Sequence, residues 1–348
     1  MSKKVLLAMS GGVDSSVSAF LLKREGYEVI GVTLDLLATA DKCCSNSTFS
    51  DAKDVADRIG IEHYILDLKD EFKKEVINYF LDEYIEGRTP NPCVVCNSKI
   101  KFGILLKKAR ELGADYIATG HYAMVEKEDG RFILKKALDI KRDQSYFLYR
   151  LSQDQLFHSI MPLGDYRKEN VRKIAEQLNL RVHNKPDSQE ICFIPDGDYR
   201  SFIRKNVPQL ESGYILDREG NILSKHKGIY LYTIGQRKGL GLSLKKPLYV
   251  IAIDRAKNAI IIGEREETSS QSLVAKDLNF ISIKALVSEM RVMARIRHQH
   301  KEVEALINPL ENNRAKIDFK ESQKAITPGQ SVVFYKDDRV IGGGIIEK

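Results

Sequence analysis

A glycine-rich loop follows the first apolar stretch and constrains the fold more than any other feature. Residues Lys4–Met9 have the composition of a buried strand, and Val13–Glu25 has the apolar spacing of a helix. Between them, Gly11 and Gly12 let the backbone turn sharply and bring its N–H groups close to a ligand. The N-terminus of the following helix adds N–H donors and a partial positive charge, which suit phosphate. A plain turn is the alternative, but glycines flanked by hydroxyls favour a phosphate site.

The acidic residue of this loop requires its own explanation. Asp14 would repel phosphate, so it either caps the helix or binds a Mg²⁺ ion that bridges a nucleotide. The stretch Ser10–Ser16 lacks the Gly-x-x-x-x-Gly-Lys-Ser/Thr pattern, which excludes the P-loop that releases a γ-phosphate. The loop therefore predicts a nucleotide-phosphate site of another type.

Strands and helices alternate through the first half of the chain. Further strands are predicted at Glu28–Leu34, His63–Leu68 and Tyr116–Thr119. Helices are predicted at Ser50–Ile59 with Ser50 as N-cap, Asp70–Glu86, Ile100–Leu112, Ser152–Ile160 and Lys168–Leu178, with a Pro/Cys loop before Ile100. This order indicates a parallel sheet with helices on both faces, whose ligands bind at the carboxyl ends of the strands.

The second half has the pattern of β-structure. A hairpin is predicted at 122–137 around Asp129-Gly130, and the helical signal fades after Ser212. Short strands are predicted at Tyr214–Leu216, Ile222–Leu223, Leu248–Ile253, Ala259–Ile262, Phe280–Ile283, Arg291–Arg297, Glu302–Ile307, Ala315–Phe319, Ser331–Tyr335 and Arg339–Ile345. Their spacing indicates one or two small all-β domains.

Charge, the N-terminal sequence and the number of cysteines indicate the cellular compartment of the protein and the chemistry of its thiols. The net charge of +7 is compatible with a polyanionic partner without requiring one. The N-terminus resembles neither a signal peptide nor a membrane span, and it lacks an Arg/Ser-rich leader, so we expect a cytoplasmic protein with no membrane partner. Five cysteines in a reducing compartment are more often reactive or metal-binding than disulfide-bonded.

Three cysteines lie in a setting that suits chemistry. Cys93 and Cys96 precede a predicted helix with lysines nearby, which favours thiolate, and Cys192 lies in a separate polar stretch. A persulfide on one thiol could deliver sulfur while another completes the exchange as a disulfide. The alternatives are half a zinc site for Cys93 and Cys96, and a buried small hydrophobe for Cys192. Cys43 and Cys44 are interpreted as incidental.

The loop resembles the Ser-Gly-Gly-x-Asp-Ser signature of the ATP pyrophosphatases, which split ATP between the α- and β-phosphates and adenylate a substrate oxygen. The chain as a whole resembles the tRNA-specific 2-thiouridylases of the bacterial and organellar MnmA type. The matching segments, in family order, are Ala8–Ser15, Thr89–Pro92 with Cys96-Asn97 and Lys101-Phe102, Ala118–Ala123, Asp143–Leu148, Lys185–Ile194 and Tyr232–Gly239.

This resemblance implies an enzyme that replaces the C2 oxygen of the wobble uridine in tRNA by sulfur. It implies ATP-binding residues at Ala8, Met9, Ser10, Gly11, Gly12, Val13, Asp14, Ser15, Leu34 and Gly120. Cys192 matches the persulfide-carrying thiol and Cys96 its partner. Asn91, Pro92 and Cys93 match the positions that meet the target base, and His121, Arg142, Asp143, Gln144, Arg297, His298 and Gln330 match those that touch the tRNA. A cysteine desulfurase or a sulfur relay protein is the implied donor.

One position departs from the family pattern. Well-characterised members carry Asp where this chain has Cys93. Together Cys93, Cys96 and Cys192 could instead hold a [4Fe–4S] cluster by three thiolates, leaving one iron open to sulfide. The sequence leaves persulfide and cluster chemistry as alternatives.

The resemblance also implies an order of domains. We expect an α/β catalytic domain of the adenine nucleotide alpha hydrolase type at 1–205, a small β-rich domain at 206–267 and a tRNA-contacting β-barrel at 268–348. A basic stretch from Arg291 to Lys301 could hold phosphates or could be a solvated edge strand. The rival functions are a pyrophosphatase-type ligase acting on a small molecule and a non-catalytic RNA-binding protein.

Overall fold

The first strand and the helix that follows it form as their apolar patterns predict. A computed structural model describes residues 2–37, 46–186, 191–194, 196–207, 211–242 and 246–347. It divides into two compact units, the first comprising residues up to Val76, Cys93–Gly197 and Asp337–Ile341. The second comprises Ile77–Pro92, Asp198–Lys336 and the residues from Gly342 onward.

The first unit is built on a five-stranded parallel sheet and a hairpin. Its strands are β1 (Lys4–Ala8), β2 (Glu28–Asp35), β3 (Glu62–Asp67), β4 (Tyr116–Ala118), β5 (Ala123–Glu128), β6 (Arg131–Lys136) and β7 (Ser159–Ile160). The sheet order is β3-β2-β1-β4-β7, so β1 is central. The β5–β6 hairpin turns at Asp129 and Gly130, which both have positive φ. The parallel sheet and the hairpin are confirmed.

Helices pack against this sheet around an apolar core. Among the described residues, the α-helices are α1 (Val13–Arg24), α2 (Asn46–Ile59), α3 (Lys69–Phe72), α4 (Asn78–Ile85), α5 (Pro92–Val95), α6 (Leu105–Glu111), α7 (Gln153–Phe157), α8 (Lys168–Gln177) and α9 (Tyr199–Asn206), of which α4 and α9 belong to the second unit. Val5 and Leu7 of β1 are fully buried with Val17, Leu22 and Val171. Burial of each such side chain stabilises the fold by about 1.5–3 kcal/mol. Because the centre of β1 is buried on both faces, its residues 5–7 are all apolar rather than alternating with polar ones.

Several predicted helix boundaries are wrong. Helix α2 begins at Asn46, so Ser50 lies inside it and is not its N-cap. The predicted long helix at 70–86 is interrupted by a π-helical stretch at Lys73–Ile77. The predicted Pro/Cys loop is helical, because α5 starts at Pro92 and runs into a π-helical stretch at Cys96–Ile104. Proline is well suited to a first helical position, since its missing N–H would have no intrahelical partner there.

Two further differences concern chain segments near the end of the first half. Helix α7 ends at Phe157, and its continuation Ser159–Ile160 is the edge strand β7 instead. Ser152 caps α7 in a capping box with Gln155. Helix α9, with Asp198 as its N-cap, was not predicted.

The second unit is rich in β-structure. Its strands are β8 (Gly213–Leu216), β9 (Ile222–His226), β10 (Tyr249–Asp254), β11 (Ala259–Gly263), β12 (Ser269–Phe280), β13 (Met290–Arg295), β14 (Val303–Leu310), β15 (Arg314–Lys324), β16 (Ser331–Lys336) and the part of β17 (Arg339–Ile346) from Gly342 onward. A four-stranded sheet has the order β10-β11-β8-β9. The strands β12-β15-β14-β13-β16-β17 close into a six-stranded barrel through the pairing of β12 with β17. The expected β-rich half with a terminal barrel is confirmed, whereas the strand predicted at 280–283 is wrong, since β12 ends at Phe280.

No helix among these described stretches is long and apolar enough to cross a membrane.

Candidate active site

The glycine loop lies where β1 ends and α1 begins, at the carboxyl edge of the sheet. Gly11 has a φ of +63°, and a Cβ atom there would lie 2.6 Å from the carbonyl oxygen of Thr48. Ser15 and Ser16 close the loop by donating hydroxyl hydrogen bonds to the Gly12 carbonyl at 3.2 and 2.8 Å. The loop is therefore a tight, internally bonded turn that only glycine can form at position 11.

Other predicted nucleotide residues lie on the same edge of the sheet. A Cβ atom on Gly120 would lie 2.8 Å from the Ser15 nitrogen, so Gly120 follows β4 directly against the start of α1. Leu34 lies near the carboxyl end of β2, the strand that neighbours β1. The predicted set from Ala8 to Ser15, with Leu34 and Gly120, is thus brought to one place. That these residues bind ATP stays a prediction.

Asp14 is held by two residues that sequence reasoning did not connect with it. Lys168 Nζ donates to both Asp14 carboxylate oxygens, at 2.8 and 2.7 Å. The Tyr122 hydroxyl donates to Asp14 Oδ1 at 2.7 Å. Helix α1 has no side-chain cap, so the capping explanation for Asp14 is wrong. Lys168 lies 154 residues further along the chain, and no local pattern ties the two positions.

A second lysine reaches the same loop from the segment that precedes Cys192. Lys185 Nζ donates to the Gly11 carbonyl at 3.0 Å and to Asp51 Oδ2 at 2.8 Å. Lys185 is the first residue of the segment Lys185–Ile194, which matches the family pattern. Nothing in that pattern predicts that its side chain contacts the glycine loop. The side chain of Lys185 ties the loop to the chain that leads to the third thiol.

The three thiols lie in the first unit. Cys93 and Cys96 are three residues apart on the helical segment that starts at Pro92, so they lie on one face of it. Cys93 is exposed, Cys96 is buried and Cys192 is partly exposed. Phe193 packs edge-on against Phe72 with 5.8 Å between ring centroids, which anchors the turn that carries Cys192. Cys192 is therefore not the fully buried hydrophobe of the alternative interpretation. Cys43 and Cys44 lie outside the described residues.

The expectation that Cys93 is activated as a thiolate is wrong, although a nearby lysine does act in the expected direction. Its side chain reaches solvent, yet desolvation by the surrounding protein raises the pKa of the thiol, and Lys101 lowers it to a smaller extent. Burial likewise holds the pKa of His121 well below its usual range, with Lys101 acting in the same direction. His121 Nδ1 lies 2.8 Å from Thr119 Oγ1. Cys93 is thus a protonated thiol and His121 a neutral ring near neutral pH.

The thiols do not form a metal site as they are placed. Within the described part of the chain, no group of three or more Cys, His, Asp or Glu side chains could hold a metal ion. A cluster held by Cys93, Cys96 and Cys192 needs all three sulfurs around one group. The three-thiolate cluster therefore does not fit this arrangement.

Comparison with known proteins decides the family. The domain described as "tRNA methyl transferase HUP domain" matches residues 3–196, "tRNA methyl transferase PRC-barrel domain" matches 200–264, and "Aminomethyltransferase beta-barrel domain" matches 270–346. The tRNA-specific 2-thiouridylase MnmA 1 of Clostridium botulinum (strain Loch Maree / Type A3) is 52% identical over 356 residues, covering 100% of both chains. The MnmA 2-thiouridylase of Halothermothrix orenii is 54% identical over 354 residues, covering 99% of each. The chain belongs to the tRNA-specific 2-thiouridylase family.

The family's expected tRNA positions in the first unit differ in accessibility. Arg142 is exposed. Asp143 is 3% exposed, and its carboxylate accepts hydrogen bonds from the backbone of Ala137 and from the backbone and hydroxyl of Ser145. Gln144 Oε1 accepts from the Tyr122 N–H at 3.0 Å. Asp143 and Gln144 thus brace this turn, which leaves Arg142 as the member of the three that is presented to solvent.

The expected positions in the second unit are also engaged in contacts. The Arg297 guanidinium donates to the Ala325 carbonyl and to Thr327 Oγ1. Arg295, of the basic stretch, pairs with Glu302 and lies 5.1 Å from the centre of the Tyr335 ring. Both arginines therefore stabilise the barrel, and the basic stretch is not simply a row of solvated charges.

Gln330 contacts the segment that leads into the Cys93 helix. Its Nε2 donates to the carbonyls of Thr89 and Pro90 at 2.9 and 3.0 Å. The Thr89 N–H donates to the Pro328 carbonyl at 2.8 Å. A Cβ atom on Gly329 would lie 2.9 Å from the Thr89 oxygen. Residues 328–330 of the barrel therefore hold the backbone just before Asn91 and Pro92.

Proposed function

We propose that this chain catalyses the ATP-dependent 2-thiolation of the wobble uridine of tRNA. The observation that carries the proposal is the combination, in one unit, of a tight phosphate loop with the thiols Cys96 and Cys192. Its full-length similarity to proteins named tRNA-specific 2-thiouridylases supports the same reaction.

The need for ATP follows from the chemistry of the base. The C2 carbonyl of uracil is a poor electrophile, and its oxygen is a poor leaving group. Attack of that oxygen on the α-phosphorus releases pyrophosphate and makes the oxygen part of AMP, which departs readily. The loop N–H groups and the start of α1 would hold the phosphates, and a Mg²⁺ ion carried by the nucleotide would neutralise part of their charge.

Cys192 and Cys96 divide the sulfur transfer. A persulfide on Cys192 presents its terminal sulfur to C2, and AMP leaves with the original oxygen. Cys96 then attacks the Cys192 sulfur, forming a disulfide and releasing the thiolated uridine, and a dithiol reductant restores both thiols. The partial exposure of Cys192 suits loading by a cysteine desulfurase or a sulfur relay protein.

The substrate must be a base that can leave its stack. An anticodon loop can present its wobble uridine splayed outward, whereas a base within a duplex cannot be reached. Asn91, Pro92 and Cys93 would meet the base, while His121, Arg142, Arg297, His298 and Gln330 would contact or frame the tRNA. We place the reaction in the cytoplasm, where tRNA is used in translation.

We further propose the domain boundaries 1–205, 206–267 and 268–348. The family matches at 3–196, 200–264 and 270–346 support breaks near these positions. The first domain would carry ATP and both catalytic thiols, and the last would contribute to tRNA binding.

An assay with defined components tests the reaction. The enzyme is incubated with ATP, a persulfide donor and unmodified tRNA, and AMP, pyrophosphate and thiolated uridine are quantified. Wild type should form all three in equal amounts. Cys192→Ser and Cys96→Ser should each lose at least about 100-fold in thiolated uridine. The double variant Cys43→Ser/Cys44→Ser is the control and should stay active.

Four outcomes would contradict the proposal, in whole or in its sulfur-transfer route. AMP formed without tRNA, with both cysteine variants active, would indicate a small-molecule ligase. Binding of tRNA without AMP or pyrophosphate would indicate a non-catalytic RNA-binding protein. A product with the added mass of a methyl group, rather than of an oxygen-to-sulfur exchange, would indicate a methyl transferase. Activity that requires protein-bound iron would replace the persulfide route by cluster chemistry.

A further inference from the structure

Asp14 presents an electrostatic problem within the phosphate loop. It is the first-turn acidic residue of α1, the helix whose N-terminus faces the loop. A carboxylate at this position repels a triphosphate, which carries several negative charges of its own. Asp14 does not cap helix α1, so another group must balance the negative charge of its carboxylate.

The balancing charge is Lys168, the first residue of α8. Its ammonium contacts both Asp14 oxygens at 2.7–2.8 Å, and its side chain is 8% exposed. The Lys168 backbone N–H donates to Asp139 Oδ2 at 3.0 Å, which fixes the start of α8. The Tyr122 hydroxyl donates to Asp14 at 2.7 Å, and its ring centre lies 5.8 Å from the Lys168 ammonium. The lysine of this pair is enclosed and the Asp14 side chain is 30% exposed, so with its third partner it differs from a fully solvated surface ion pair.

We propose that Lys168 is a positioning residue for ATP, which neutralises Asp14 so that the phosphate loop accepts a nucleotide. Lys168 acts through Asp14 and does not need to touch the substrate. The inference rests on the proposed use of ATP and deepens it, because it names the residue that makes the loop competent to bind.

A double-mutant cycle separates this role from direct contact of Lys168 with phosphate, and a thermal melt of each variant reports its effect on folding. The dissociation constant of ATP is measured by calorimetry in EDTA, so that Mg²⁺ does not replace the missing ammonium. In Lys168→Met the Asp14 charge is unpaired, and ATP should bind at least about tenfold more weakly. In Asp14→Asn/Lys168→Met no charge remains, and affinity should return to within about threefold of wild type. Lys135→Met is the matched control, since Lys135 is a partly buried lysine that pairs with Glu126 and Asp338 in the β5–β6 region.

The cycle gives a decision in each case. Rescue by Asp14→Asn supports the proposal, because a direct contact between Lys168 and phosphate would not be restored by removing a second charge. A double variant that binds ATP as weakly as Lys168→Met overturns it. If Lys168→Met does not fold, the double variant is compared with wild type, and a loss of about tenfold or more overturns the proposal. Failure of wild type to bind ATP would instead refute the proposed function.

Discussion

Gly11 is the glycine of the phosphate loop with the least room for a side chain. Its φ of +63° lies in the left-handed region, and a Cβ atom there would lie 2.6 Å from the Thr48 carbonyl oxygen. Gly113 has a similar φ of +69°, but a Cβ atom there would meet nothing within 4 Å. Both positions therefore require a positive φ, but only at Gly11 would a side chain clash with neighbouring atoms.

We predict that Gly11→Ala loses ATP binding while Gly113→Ala keeps it. Each substitution should destabilise the fold by about 1 kcal/mol through its positive φ. Only Gly11→Ala adds a clash that moves the loop, so its ATP affinity should fall at least about tenfold. Thermal melts and ATP titrations of both variants give the comparison. Equal ATP affinity in the two variants would show that the loop is not held as tightly as the geometry indicates.

The raised pKa of Cys93 gives a pH prediction. The neutral thiol is favoured there by desolvation, so thiolate forms only at more alkaline pH than in an ordinary cysteine. The rate of Cys93 alkylation by iodoacetamide can be followed by peptide mass mapping at a series of pH values. The pH at which this rate increases should be higher than for an unstructured peptide that contains cysteine. Lys101→Met should move the rise further toward alkaline pH, because Lys101 lowers this pKa. Rapid labelling of Cys93 at neutral pH would contradict the assignment of a protonated thiol.

At the scale of elements, the barrel segment 328–330 holds the irregular backbone before the Cys93 helix. Gln330→Ala removes both side-chain hydrogen bonds to the Thr89 and Pro90 carbonyls. Loss of about 1 kcal/mol of local stability should speed amide hydrogen exchange at Thr89 roughly fivefold. Gln323→Ala is the matched control, since Gln323 is a buried barrel glutamine that donates to the Glu321 carbonyl. Unchanged exchange at Thr89 would mean that Pro328 and Gly329 hold the segment without Gln330.

The alternation of strands and helices could be predicted from the sequence because apolar runs such as β1 carry their own periodicity. The start of the Cys93 helix could not, because the Pro-Asn-Pro sequence that precedes Cys93 is typical of a loop. The structure shows that Pro92 instead occupies the first helical position. Sequence patterns also located the phosphate loop, since its glycines are adjacent in the chain. They could not locate Lys168, whose contact with Asp14 joins distant positions.

At the scale of the whole molecule, the nucleotide loop and the three thiols belong to one unit, whereas Arg297, His298 and Gln330 belong to the other. The 52–54% identity extends over nearly the full length of the relatives, so both units are shared with the family. Under the proposed function, the first unit would supply the groups for adenylation and sulfur transfer. The second unit contains a barrel in which Arg295 and Arg297 contact other barrel residues.

The central claim is that the C2 oxygen of the uridine leaves as part of AMP. The most direct test uses tRNA whose wobble uridine carries a heavy oxygen isotope at C2, incubated with enzyme, ATP and a persulfide donor. Mass spectrometry of the products should find the heavy oxygen in AMP and none in the thiolated uridine. Heavy oxygen in pyrophosphate or in water, with unlabelled AMP, would contradict adenylation of the base.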